Sequence, residues 1–103
     1  MGATNFENVV ELSRFAKDAD SAFMIERNLH SSAEGYSGTI REKCNFIMVS
    51  TPKLPTVESA RRLAASLTEY SKFDKYGPAG CIAYRRKGGR KIAGWVFFGI
   101  AAC

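Results

Sequence analysis

The stretch at residues 79–101, Ala-Gly-Cys-Ile-Ala-Tyr-Arg-Arg-Lys-Gly-Gly-Arg-Lys-Ile-Ala-Gly-Trp-Val-Phe-Phe-Gly-Ile-Ala, leaves few folds open. Two apolar, β-prone runs flank Gly88-Gly89, and a glycine pair supplies the positive φ that a two-residue hairpin turn requires. Pairing outward from that turn sets Lys87 opposite Arg90, Arg86 opposite Lys91, Arg85 opposite Ile92, Tyr84 opposite Ala93, Ala83 opposite Gly94 and Ile82 opposite Trp95. Successive pairs alternate faces. One face then gathers Tyr84, Arg86, Lys91, Trp95 and Phe97, with Ile82 beside them. The other holds Cys81, Ala83, Ile92, Val96, Phe98 and Ile100, a core face. Five cations, Arg85, Arg86, Lys87, Arg90 and Lys91, crowd the tip.

Upstream, Thr4 with Glu7 three residues on forms a capping-box pattern. Glu7, Glu11, Arg14 and Asp18 follow along one side of a helix, with Phe6, Val9, Val10, Leu12, Phe15 and Ala16 on the remainder, which predicts an amphipathic helix over 5–18. Asp18 and Asp20 are read as a helix end and a turn cap rather than a metal site, because no other ligand type stands near them in the sequence. Over 21–30, Phe23, Ile25 and Leu29 alternate with Met24, Glu26, Asn28 and His30, which reads as a strand. The helical alternative lines up Ala22, Ile25 and Leu29 but leaves Phe23 and Met24 on other faces. Residues 31–38 have loop composition, and 39–50 read as a long strand that Pro52 and Pro55 terminate. Thr56 caps a second helix in which Val57, Ala60, Leu63, Ala64, Leu67 and Tyr70 recur at three- and four-residue steps, with Gly77-Pro78 as its stop. Glu11-Leu-Ser-Arg-Phe-Ala-Lys17 and Glu69-Tyr-Ser-Lys-Phe-Asp-Lys75 share four of seven residues, a pattern that a duplicated helix–hairpin unit would leave.

The expected fold is therefore one α+β domain spanning residues 1–103. It consists of an antiparallel sheet packed against two helices that cover one face, in the order helix, strand, strand, helix, strand, strand. A chain of 103 residues with 46% hydrophobic and 24% charged content can bury a core without staples. Cys44, Cys81 and Cys103 are odd in number and lack metal-ligand spacing, so reduced thiols and a cytoplasmic, reducing setting are expected. Residues 1–20 lack the pattern of a signal peptide. The most apolar stretch, residues 92–103, is too short for a bilayer span, so no membrane partner is expected.

Charge carries the functional expectation. Residues 1–52 hold five Lys or Arg and seven Asp or Glu, a net −2, while residues 53–103 hold ten and three, a net +7. No Walker loop, dinucleotide fingerprint or nucleophile motif is present, and the single histidine, His30, has no nucleophile motif near it. The reading is a non-enzyme without cofactor or metal. It is expected to bind an anionic partner, nucleic acid or an acidic protein surface, through Arg85, Arg86, Lys87, Arg90 and Lys91. Tyr84, Trp95 and Phe97 would serve as stacking platforms, and Arg61 and Arg62 of the second helix would extend the patch. The alternative is a small inhibitor or adaptor, of the kind viruses encode, that blocks a host protein or nucleoprotein complex with an aromatic hot spot at Tyr36, Tyr84 and Trp95. A homodimer through an uncovered sheet face or edge is a third possibility. Exposure of Trp95 decides between a stacking surface and a buried core.

Overall fold

A computed structural model of the chain describes residues 3–31, 45–68 and 77–102. Its elements are β1 (Ala3–Glu11), α1 (Ala19–Ser31), β2 (Phe46–Met48), α2 (Val57–Leu67), β3 (Ala79–Arg85) and β4 (Ile92–Ala102). They form a small α+β domain with one four-stranded sheet in the order β1-β4-β3-β2. β4 pairs antiparallel with β1 on one side and with β3 on the other, whereas β2 lies parallel to β3. The sheet is thus mixed rather than wholly antiparallel. The expected four strands and two helices are present, but the first two elements exchange places.

The hairpin forms with a shifted register. Arg85 faces Ile92 as the turn predicts, but Tyr84 faces Gly94, Ala83 faces Trp95 and Ile82 faces Val96. Ala93 is the extra residue of a bulge, and its carbonyl accepts instead from the Leu12 N–H at 2.8 Å. A one-residue slip exchanges the faces of one strand relative to its neighbour. Tyr84 and Trp95, expected side by side, therefore project to opposite faces of the sheet. Gly94 marks the bulge: a Cβ there would come within 2.4 Å of the Val10 carbonyl oxygen and 2.5 Å of Tyr84 Oη. The turn differs too. Gly89 N–H donates to the Arg86 carbonyl at 2.8 Å, so Lys87 and Gly88 occupy the corners, and Gly88 takes the positive φ of 82°.

Both faces are covered, so the expectation of two helices on one face is corrected. Cys81, Ala83, Trp95 and Phe97 pack with Ala22 and Phe23 of α1, while Ile82, Tyr84, Val96 and Phe98 pack with Ala60 and Ala64 of α2. This is why β3 and β4 read as nearly continuous apolar runs. Phe98, Val96 and Ile82 are fully buried, each stabilising by about 1.5–3 kcal/mol. Gly80 lies beneath Phe98, where a Cβ would sit 2.1 Å from the ring. On the other face Phe23, Phe46 and Phe97 form a ring triad with centroids 4.9, 5.4 and 5.6 Å apart, tying α1 and β2 to β4. Asn8 Nδ2 donates to Glu26 Oε2 at 2.8 Å, which fastens α1 to β1.

The helix expected over 5–18 is instead strand β1 followed by a tight turn in which Ser13 Oγ accepts from the Ala16 N–H at 3.0 Å. Phe6 and Val10 both face the α1 side, and a spacing of four suits either period. β4 settles the choice, since its second edge requires a hydrogen-bonding partner along its length. The strand expected over 21–30 is helix α1. Asp18 caps its start, accepting from the Ser21 N–H at 2.8 Å. That bond holds the Asp18 carboxyl below its ordinary value.

β2 begins at Phe46, and residues 39–44 of the longer expected strand lie outside the described residues, as do Tyr36 and the loop at 32–38. α2 starts where expected, with Thr56 Oγ1 accepting from the Ser59 N–H at 3.4 Å. It runs to Leu67, with both the N–H and the hydroxyl of Thr68 donating to the Ala64 carbonyl, and residues 69–76 of the longer expected helix, Tyr70 among them, lie outside the described residues. The first copy of the seven-residue repeat follows a strand, not a helix, which removes the phasing that a duplication requires. The second copy lies outside the described residues.

Candidate functional site

The turn between β3 and β4 carries its cations on a short loop, residues 86–91, rising from two buried strands. Arg86, Lys87, Arg90 and Lys91 are exposed. Among the described residues none of the four makes an ion pair. Each is therefore a hydrated charge available to an anion, held on a loop whose base is fixed by the hairpin.

Arg85 belongs to a different environment. It is half-buried, its Nε donates to the Leu54 carbonyl at 2.8 Å, and its Nη1 donates to the Arg86 carbonyl at 3.3 Å. Its own N–H donates to the Pro55 carbonyl at 2.8 Å, beside a parallel bridge between Thr56 and Arg85. Arg85 therefore latches the loop before α2 onto the hairpin.

Three depressions surround the hairpin end. One, of about 410 Å³, lies between α2 and β1, where Arg86 and Lys87 share the lining with Glu11, Glu58 and Tyr84. A second, of about 390 Å³, faces the end of β1, where Leu12 and Ile92 adjoin Arg86, Arg90 and Lys91. The third, of about 420 Å³, faces the loop before α2 and is lined by Lys53, Leu54, Arg85, Gly88, Gly89 and Arg90. Carboxylates line only the first of the three. Arg90 borders both of the others.

The aromatic component of the expected site is absent from the surface. Trp95 is 3% exposed and packs on the α1 side, and Phe97 is fully buried. Tyr84 is 6% exposed on the α2 side, with its phenol reaching the first depression. Burial, with the Glu11 carboxylate nearby, pushes the Tyr84 pKa up against the weaker opposing effect of Arg86. Of the helix cations, Arg61 pairs with Glu7 of β1, and Arg62 stands exposed on α2.

Sequence reasoning missed Lys53 and the Leu12–Ile92 pair. The Pro52-Lys53-Leu54-Pro55 segment signals an extended loop, but only the fold brings it beside the hairpin. The apolar pattern over 5–18 reads as a helix, which conceals that Leu12 and Ile92 line one depression.

The remaining chemistry is sparse. Burial, with Asp20 adding repulsion, pushes the Cys81 thiol up to about 12, where it is neither nucleophile nor ligand. Among the described residues no group of three or more His, Cys, Asp or Glu side chains is placed to hold a metal ion. None of the described helices is long and apolar enough to cross a membrane. No family model matches the chain, and no curated protein or solved structure matches it either.

Proposed function

We propose that the chain is a non-enzymatic binding protein that engages an anionic partner, nucleic acid foremost, through the hairpin end. The observation that carries this reading is the set of four exposed cations, Arg86, Lys87, Arg90 and Lys91, on one short turn, none of them in an ion pair among the described residues. Burial of Trp95 and Phe97 gives the proposed contact its character. With no ring available from either, the partner is held by its phosphates and not by base stacking. Such binding tolerates any sequence and weakens steeply with salt. A gel shift with duplex and single-stranded probes at about 50 mM and about 200 mM salt tests it. Binding of both probes at the lower concentration, largely lost at the higher, is expected. Absence of binding at low salt, or indifference to salt, overturns the reading.

A second reading, a protein that blocks or bridges another protein, draws support from the exposed apolar residues beside these cations. Leu12 and Ile92 line the second depression, and Leu12 is 48% exposed. An apolar centre within a charged rim suits a protein interface. Capture of one stoichiometric protein partner that survives nuclease treatment would favour this reading over nucleic acid.

A further inference from the structure

The depression facing the loop before α2 unites three properties: the second depression shares only the first of them, and the first depression shares only Arg85. Its charged lining is all cationic, since Lys53, Arg85 and Arg90 line it with no carboxylate. Its cations come from two segments that only the tertiary fold unites: the loop before α2 and the hairpin. One of its cations is already oriented. The Arg85 guanidinium is held through Nε by the Leu54 carbonyl and through Nη1 by the Arg86 carbonyl. Nη2 carries no hydrogen bond among the described residues.

A guanidinium fixed before its ligand arrives loses less rotamer freedom on binding than a free one. Two glycines complete the wall, and the space where a Gly88 side chain would project is open. An anion can therefore approach the backbone of the turn closely.

From this geometry we infer that Lys53, Arg85 and Arg90 form a seat for a single phosphate group. Arg85 is the pre-oriented donor, and Lys53 and Arg90 close on the remaining oxygens. The source of that phosphate, a phosphodiester of a nucleic-acid backbone, rests on the function proposed above; the phosphate chemistry of the seat does not. Continuity favours the backbone. Arg90 also borders the second depression, beside Arg86 and Lys91. A polymer presenting successive phosphates occupies both depressions together, whereas a lone phosphate fills one.

Two titrations of the full ¹⁵N-labelled chain test the seat and its source separately. In the first, inorganic phosphate replaces chloride at constant ionic strength while the Gly88 and Gly89 amides and the Arg85 Nε–H are followed. Saturable shifts are expected in the wild type and are lost in Lys53→Gln. They persist in Lys17→Gln, which removes an exposed charge from the turn before α1. In the second, duplex affinity is measured against salt. Lys53→Gln is expected to make the logarithmic slope less negative by about 0.9, and Lys17→Gln to leave it unchanged. Phosphate shifts unaffected by Lys53→Gln overturn the seat whatever the duplex does, and duplex binding with an unaltered slope in that variant overturns the seat and leaves the proposed function standing. Phosphate shifts at the seat without duplex binding uphold the seat and overturn its nucleic-acid source. Absence of both overturns both. Lys53 is exposed and makes no hydrogen bond among the described residues, so its variant is expected to keep the native amide spectrum.

Discussion

The Arg85 guanidinium Nε donates to the Leu54 carbonyl at 2.8 Å, joining the hairpin to a loop 31 residues earlier. This bond makes Arg85 a structural cation as well as a charged one. Arg85→Ala leaves a part-buried carbonyl without its charged donor, a loss of about 1.5–3 kcal/mol. Urea unfolding is expected to show a lower midpoint with an unchanged m-value. Arg86→Ala, at an exposed position with no such bond, is expected to leave the midpoint within about 0.5 kcal/mol of wild type. Equal effects from the two substitutions would remove the distinction between them.

Trp95 reports on whether aromatic stacking takes part. At 3% exposure it is the chain's lone tryptophan and lies in the core beside α1. Its emission is expected to be blue-shifted and resistant to acrylamide, and to stay unchanged when an oligonucleotide is added. Strong quenching by the oligonucleotide would show that Trp95 reaches the ligand.

Cys81 should be inert in the folded protein. Its thiol is raised from the ordinary 9.0 to about 12, chiefly by burial and further by Asp20. Because the folded value is raised, the neutral thiol contributes stability that is complete below the unfolded value and is lost as pH climbs toward about 12. With Cys44 and Cys103 replaced by serine, an aromatic disulfide reagent at mildly alkaline pH is expected to react only after denaturant is added. Prompt reaction without denaturant would contradict the burial.

Asp18 gives the opposite sign. Its carboxyl is held low by the backbone N–H and side chain of Ser21. A depressed folded value means that its contribution is present above the unfolded carboxylate value of about 3.9 and is lost as pH falls through the folded one. Asp18→Asn keeps an N-cap acceptor without the titration. The stability difference between wild type and Asp18→Asn is therefore expected to shrink as pH falls from about 5 to about 2 in urea unfolding. A difference that is constant with pH would contradict the assignment.

The hairpin, the second helix and the location of the charge were legible in the sequence because each rests on a local signal. Gly88-Gly89 marks a turn, Thr56 marks a cap, and Val57, Ala60, Leu63, Ala64 and Leu67 share one helical face. The first thirty residues were not legible. The spacing of four between Phe6 and Val10 suits both a helix and a strand, and only the open edge of β4 selects between them. Asp18 followed by Ser21 is a start signal for α1, but the helical pattern read over 5–18 makes the same aspartate look like a helix end. The bulge at Ala93 decided the site. Gly94, isolated within a strand pattern, was its local sign, and overlooking it placed Trp95 beside Tyr84 on a surface. Lys53 had no local signal, because its partners Arg85 and Arg90 are distant in sequence and meet it only in the folded chain.

The measurement that bears most directly on the proposed function is the anisotropy of a labelled duplex titrated with the protein across a series of salt concentrations. For the wild type, log K is expected to fall linearly with log salt. The combined variant Arg86→Ala, Arg90→Ala, Lys91→Ala is expected to keep its fold and lose about 0.9 of slope for each phosphate contact removed, about 2.7 in all. A wild type that does not bind at low salt, or a variant that binds with undiminished affinity and slope, would contradict the account.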